Sequence, residues 1–301
     1  MRKNIPIIRI QTILDLMKKF LLPVFFSFFF LSVCMASGDN FSAGSRAAAL
    51  GGASSTLSDV FSTTNNQAGL GFVNQYAIGI YTDRKFVNAN INNFNLAVAL
   101  PFKNIGTFGL SANYYGYKAY NETKIGLAYA RQFGNKVSFG IQFDYLRTTI
   151  LENGNRNFFT LEAGIIYKPW KVLSIAAHVY NPIPYKIEKV YGERLPTILK
   201  FGLGYEPAKK VLLAVEYEQD IHYKPQFKAG VEYRPIKYLD IRAGVQTTPF
   251  SASLGVGINV KGVNIDLSSS YHPVLGFTPQ AALVVNFGKK VTDSAPVKKK
   301  K

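Results

Sequence analysis

The feature that most constrains this chain is a regular alternation of residue types. Large apolar residues alternate with small or polar ones, with a period of two, from about Gln75 to Phe287. In the segment 137–145, every odd position is large and apolar and every even position is small or polar. Because successive side chains of a β-strand point to opposite faces, each such segment predicts a strand with one apolar face. The sequence therefore predicts an all-β fold.

About fourteen segments share this pattern. No run within 75–288 approaches the ~18 consecutive apolar residues of a membrane-spanning helix. The mean hydropathy of the chain is only +0.04, because polar residues are interleaved with apolar ones. The predicted strands are residues 76–82, 92–102, 106–116, 122–133, 136–149, 157–168, 171–181, 196–206, 209–219, 225–234, 237–248, 250–260, 262–272 and 277–287.

The connections between these strands alternate in length. Longer polar connections, such as 149–156 and 182–195, lie between short turns at 103–106, 134–135, 169–170, 207–208, 235–236 and 261–262. Short turns on one side and longer loops on the other are typical of outer-membrane β-barrels. We therefore predict an antiparallel transmembrane β-barrel of about fourteen strands over residues 75–288, with the short turns on the periplasmic side.

Aromatic residues favour a membrane barrel over a soluble β-sandwich. The apolar-face residue next to each short turn is often aromatic, which is expected of a girdle at a membrane interface. The opposite face is polar and small, which suits a wet lumen but also the outer surface of a soluble sandwich, so that alternative stays open. The predicted girdle consists of Phe102, Phe133, Tyr167, Tyr205, Tyr233 and Phe287.

The N-terminus predicts export. Lys18 and Lys19 precede a short apolar stretch over residues 20–33, and the small residues Cys34 and Ala36 stand at positions −3 and −1 of a cut after Ala36. A basic region, an apolar core and a small-residue cleavage site form a secretory signal. We predict cleavage after Ala36, with Met17 as a possible true start and a lipoprotein signal at Cys34 as the alternative. Cleavage would remove the single cysteine. Export together with the predicted barrel implies that the mature chain lies in the outer membrane of a bacterial cell.

Residues 37–74, here called the hatch, break the strand pattern. This segment is rich in Gly, Ala and Ser, whose small side chains allow close backbone packing. A barrel of about fourteen strands is intermediate in width between filled and open barrels. We predict that the hatch folds as a plug inside the barrel; a disordered periplasmic leader is the alternative.

The hatch also carries a family resemblance. The segments 46–53 (RAAALGGA), 57–59 (LSD) and 66–70 (NQAGL) resemble the N-terminal signature of the FadL-type superfamily of fourteen-stranded barrels, with Gln67 at a position where proline is usual. Residues 270–278 (SYHPVLGFT) are similar to a stretch common in PorV/PorQ-like members. The hatch residues singled out by these motifs are Arg46, Gly51, Gly52, Asp59, Asn66 and Gly69.

The resemblance implies two functions. Transporter members move hydrophobic molecules through the lumen and past the hatch, so the first hypothesis is passage of small hydrophobic molecules. PorV/PorQ-like members act as partners in type IX protein secretion or surface attachment of cargo, which is the alternative. The partners expected are outer-membrane lipid, a hydrophobic small molecule in the lumen, and possible secretion-system proteins.

Charged residues on the predicted inner face concentrate on neighbouring strands. Opposite charges on adjacent strands interact across a sheet, which suggests the pairs Glu216–Lys228 and Glu232–Arg242. The set is interpreted as a structural ion-pair lattice or as a surface that docks the hatch, with Arg46 as the cation on the hatch. The predicted lattice consists of Glu162, Lys200, Glu216, Glu218, Lys228, Glu232, Asp240 and Arg242.

Other functional classes find little support in the sequence. The chain has three histidines, His178, His222 and His272, and none of them belongs to a nucleophile motif or to a metal-ligand spacing. We therefore expect no enzyme activity, no metal and no cofactor. A lipid-modifying hydrolase is a distant alternative. The net charge of +17 includes six lysines in the last thirteen residues. Residues 289–301 are predicted to form a basic periplasmic tail, and the absence of a nucleic-acid-binding module argues against a nucleic-acid partner.

Overall fold

The computed structural model describes residues 42–87, 90–152, 154–183, 195–221 and 223–291. Fourteen antiparallel strands form one closed barrel in chain order, and β14 pairs back onto β1. This confirms the predicted fold class. The strands are β1 Tyr76–Lys85, β2 Ile91–Phe102, β3 Gly106–Tyr117, β4 Tyr120–Phe133, β5 Val137–Ile150, β6 Gly154–Trp170, β7 Leu173–Tyr180, β8 Ile198–Ala208, β9 Val211–Asp220, β10 Gln226–Ile236, β11 Leu239–Gln246, β12 Ser251–Val260, β13 Val263–His272 and β14 Gly276–Phe287.

The period-two alternation separates an apolar outer face from a small and polar inner face. Ile141 and Leu254 are 60% and 69% exposed, whereas the inward Gln142 and Ser253 between such residues are buried. The six predicted girdle residues all lie on the outer face at the end of the barrel that carries the short turns, here called the short-turn end. The outer surface is therefore a continuous apolar belt with aromatic rings at one edge.

Three of the predicted short turns are wrong in position. β6, β8 and β10 run through their Pro residues, and the turns follow two residues later, at 171–172, 209–210 and 237–238. The pairing register shifts just after Tyr167, Tyr205 and Tyr233. Because proline has no backbone N–H to give to a ladder, the strand bulges there instead of ending.

The opposite end, here called the loop end, carries the other connections. β6 begins at Gly154 rather than at 157, so the loop before it is shorter than predicted. His272 is the last residue of β13, and its Nδ1 accepts backbone N–H bonds from Val274 and Leu275. Several predicted features lie outside the described residues. They are residues 184–194 of the long loop, His222, the predicted signal segment 1–36 and residues 292–301 of the tail.

The described part of the hatch is compact and buried. It contains helix α1 (Ser45–Ala49), helix α2 (Ser62–Asn65) and a 3₁₀ helix (Gln67–Phe72). Phe61 and Leu70 pack against small inward residues of the barrel wall, including Ala97 and Ala128. Small wall residues leave room for the hatch, so its side chains fill the lumen beside β1 to β4. Among the described residues, no helix is both long and apolar enough to cross a membrane.

Candidate functional site

Three glutamates on the inner wall hold three separate points of the hatch. Glu232 lies on β10, Glu216 on β9 and Glu162 on β6, and each is at most 3% exposed. Their contacts with the hatch join residues separated by 186, 161 and 95 positions in the chain. Buried carboxylates require partners, and in all three cases the hatch supplies part of the partnership.

Glu232 lies between three guanidinium groups. Arg46 of the hatch donates from Nε to Oε2 at 2.7 Å and from Nη2 to Oε1 at 3.0 Å. On the wall, Arg242 Nε donates to the same Oε2 at 2.7 Å and Arg234 Nη2 donates to Oε1 at 2.5 Å. The fork of Arg46 therefore engages both carboxylate oxygens, the bidentate geometry that makes such pairs strong.

The charges around this centre extend on both sides. Arg242 also binds Asp240, at 3.0 Å, and Asp266, while Arg46 Nη1 lies 3.8 Å from Asp59 within the hatch. Burial alone would lower the pKa of the Arg46 guanidinium, but the adjoining glutamate outweighs burial and holds this pKa above its ordinary value. Burial raises the pKa of the Asp59 carboxyl, an effect that the Arg46 charge offsets only in part.

Glu216 holds the turn that follows α1. Its Oε2 accepts the backbone N–H groups of Ser54 at 3.0 Å and Ser55 at 2.7 Å. Its Oε1 lies 3.3 Å from Lys228 Nζ, and the two residues occupy paired register positions on β9 and β10. Lys228 also donates to Glu218 at 2.6 Å. One carboxylate thus satisfies two hatch amides while an ammonium balances its charge.

Glu162 holds the start of the 3₁₀ helix. Its Oε2 accepts from Gln67 Nε2 at 2.6 Å and contacts His178 Nε2 at 3.0 Å. Its Oε1 accepts from Lys124 Nζ at 2.8 Å. His178 therefore pairs with a wall carboxylate. Within the described ranges, no three His, Cys, Asp or Glu side chains are grouped so that they could hold a metal ion.

The motif residues of the hatch fix its backbone. Gly51 and Gly52 adopt positive φ angles of 68° and 84°, and a Cβ on Gly51 would meet Val245 N at 2.6 Å. Asn66 caps the 3₁₀ helix, its Oδ1 accepting the backbone N–H two residues on at 3.1 Å. Gly69 has no space for a Cβ, which would lie 2.4 Å from a hatch carbonyl oxygen. Gly51 and Gly69 require glycine because a Cβ there would collide with backbone atoms, and Gly52 requires it because of its positive φ.

Not all of the predicted lattice residues contact the hatch, and two further residues take part in the network around Glu162. Lys200, Glu218 and Asp240 contact other wall residues rather than the hatch, for example Lys200 Nζ with Glu218 at 3.5 Å. Lys124 and Gln67 were not predicted to take part. Lys124 lies in the inward phase of β4, so the alternation was a usable signal for it. Gln67 carried no comparable signal.

An apolar pair lies on the inner wall on the loop-end side of Glu162. Leu146 on β5 and Phe158 on β6 occupy paired register positions, and both are half-buried. They point inward because their neighbours Tyr145 and Phe159 contact each other on the outer face. This pair forms an apolar surface on the inner wall towards the loop end.

Comparison with known proteins places the fold. No protein-family model and no curated protein matches the sequence. The structure is similar to the CymD monoaromatic hydrocarbon channel, with 13% identity over 84% of this chain and 100% of that chain and a TM-score of 0.65. It is similar to the toluene transporter TodX of Pseudomonas putida (12%, 83% and 100%, TM-score 0.60) and to a Pseudomonas aeruginosa FadL homologue (12%, 81% and 96%, TM-score 0.55). At these identities the likeness is one of fold, the FadL-type barrel.

Proposed function

We propose that this protein is an outer-membrane channel for small hydrophobic molecules. The observation that carries the proposal is the structural similarity to FadL-type barrels, which covers 84% and 83% of this chain and all of the CymD and TodX chains. Those two proteins are described as a monoaromatic hydrocarbon channel and a toluene transporter. A secretion-partner role receives no support from this comparison, and the neighbours give no reason to assign an enzyme activity.

The outer surface supports placement in a membrane. A closed barrel satisfies every backbone hydrogen bond of its strands internally, which the hydrocarbon interior of a bilayer requires. The apolar belt faces outward, and the aromatic girdle marks one interface. The predicted secretory signal supports export to the outer membrane, with the short-turn end in the periplasm.

The inner surface supports entry of an apolar molecule from the loop end. Leu146 and Phe158 supply an apolar contact before the polar network around Glu162. Beyond it, the hatch occupies the lumen and is held by three wall glutamates. We therefore propose that the hatch closes the channel at rest and that passage past it requires the hatch to move.

Uptake by intact Gram-negative cells that produce the full chain tests the proposal. The fluorescent hydrophobic probe N-phenylnaphthylamine should enter these cells faster than cells that carry an empty vector. The double variant L146Q/F158Q should lose most of this gain, because each polar amide removes an apolar contact worth about 1–3 kcal/mol. The matched control changes the next inward pair on the same strands, in T148Q/R156Q, and should keep the gain.

Two outcomes would count against the proposal. Entry at the empty-vector rate, in cells where the barrel is assembled and shows heat-modifiable migration on a gel, would contradict passage. Equal acceleration of a polar dye would show a leaking membrane rather than a channel for hydrophobic molecules.

A further inference from the structure

Lysines surround the whole short-turn end of the barrel. Each of the six short turns carries at least one, and two more follow the end of β14. The strands follow each other in chain order around the closed barrel, and each short turn joins two neighbouring strands. A lysine therefore occurs at about every second strand around the circumference. These residues, here called the rim lysines, are Lys103, Lys136, Lys171, Lys209, Lys210, Lys237, Lys261, Lys289 and Lys290.

A recurring local sequence places three of the rim lysines just beyond outward-facing tyrosines. At the ends of β6, β8 and β10, the chain reads Tyr, a charged residue, Pro, a variable residue and Lys, beginning at Tyr167, Tyr205 and Tyr233. The bulge at each proline carries the strand two residues further before the turn. The outward tyrosine thus lies in the apolar belt and the lysine lies just beyond it, at the level where a bilayer has its headgroups.

The rim lysines are accessible and largely uncompensated. All nine are exposed. Lys168 is not one of them, because it is half-buried and its Nζ lies 3.8 Å from the centre of the Phe72 ring of the hatch. Among the described residues at the short-turn end, one acidic side chain, Glu206, is exposed, and it lies 4.0 Å from Arg234. The loop end differs, since its connections carry both signs, with Lys118, Glu152 and Lys224 exposed.

From this arrangement we propose that the rim lysines bind the phosphate groups of anionic phospholipids in the leaflet that faces the short-turn end. A protein partner would dock on one side of the barrel, whereas these charges are spread around its full circumference. A lipid leaflet surrounds a barrel on all sides, and long lysine side chains reach from the apolar edge to the headgroup phosphates. The inference rests on the proposed membrane placement.

Lipid selection by the reconstituted barrel tests the inference. The full-length protein is inserted into vesicles of equal parts phosphatidylcholine and phosphatidylglycerol and gently extracted, and its retained lipids are counted by mass spectrometry. Each lysine near an anionic surface is worth about a fivefold change in binding at low salt. The wild-type barrel should therefore retain phosphatidylglycerol over phosphatidylcholine by at least about threefold, and high salt should reduce this preference.

Matched variants separate the rim from general positive charge. The quadruple variant K136Q/K171Q/K209Q/K237Q removes four of the nine rim lysines and should lower the preference for phosphatidylglycerol below that of the wild type. The control R84Q/K118Q/R147Q/K224Q removes the same number of charges from exposed loop-end positions and should keep it.

Other outcomes would contradict either the lysine proposal or the membrane placement on which it rests. A barrel that inserts but shows no lipid preference, or a rim variant that keeps the full wild-type preference, overturns the lysine proposal; an acidic macromolecule in the periplasm would then be the partner to test. A protein that stays soluble without detergent and does not insert into the vesicles contradicts the membrane placement itself.

Discussion

Replacing Arg46 with alanine should loosen the hatch without unfolding the barrel. Arg46 makes two charge-assisted hydrogen bonds to Glu232, and such bonds contribute about 1.5–3 kcal/mol each. The Arg46 side chain is 24% exposed, and Arg234 and Arg242 keep Glu232 paired in the variant. These two features reduce the loss, so we expect about 2–3 kcal/mol for the pair of bonds together, not per bond.

This loss corresponds to a roughly 30- to 150-fold increase in the open population of the hatch. Hydrogen–deuterium exchange measures that population, because exchange of protected amides reports local opening. The amides of Ala48 and Gly52, which are bonded within the hatch, should exchange faster by this factor. Amides of the barrel strands should be unchanged, since their ladders do not involve Arg46.

The control is R84A, which removes an exposed guanidinium that binds Asn90 at the loop end. It should leave hatch exchange at the wild-type rate. If hatch amides of R46A exchange within about threefold of the wild type, the bond to Glu232 does not hold the hatch, and the argument from burial and geometry is wrong.

Three further predictions address the hatch and the membrane placement. G51A should weaken hatch docking by about 1–3 kcal/mol, because a Cβ at positive φ would meet Val245. Its control is G134A, which is also at positive φ but has open space around it, and this variant should leave hatch exchange unchanged. E216Q should speed exchange of the amides at 54 and 55 by about tenfold, since a neutral amide is a weaker acceptor; unaltered exchange would refute an anchoring role. Fluorescence of Trp170, the single tryptophan and 66% exposed at the short-turn end, should be quenched more by lipids brominated near the headgroup than at the chain end, and the reverse order would contradict the girdle.

The barrel could be predicted from sequence because its signal is local and repeated. In β5, the residues from Val137 to Tyr145 alternate without interruption, and fourteen such segments leave few other folds. The ends of β6, β8 and β10 could not be placed correctly, because proline usually ends a pairing and here it produces a bulge. The error is therefore confined to two residues at each of these ends.

The site was less accessible to sequence analysis for a physical reason. Pairing between adjacent strands constrains partners such as Glu216 and Lys228, which occupy facing register positions. The hatch has no period, so nothing in the sequence indicates which of its residues meets which strand. Gln67 reaches Glu162 across 95 residues through the tertiary fold alone, and Arg46 selects Glu232 among several inward carboxylates for the same reason.

A reversible crosslink between hatch and wall tests most directly whether hydrophobic molecules pass through this barrel past a mobile hatch. Ser45 Oγ and Ser268 Oγ lie 2.8 Å apart, so the double variant S45C/S268C should form a disulfide that fixes α1 to β13. In intact cells, uptake of N-phenylnaphthylamine by the reduced variant should match the wild type and exceed the empty vector, and oxidation should return it to the vector rate. Equal uptake by the oxidised and reduced variants, or wild-type uptake no faster than the vector, would contradict the account.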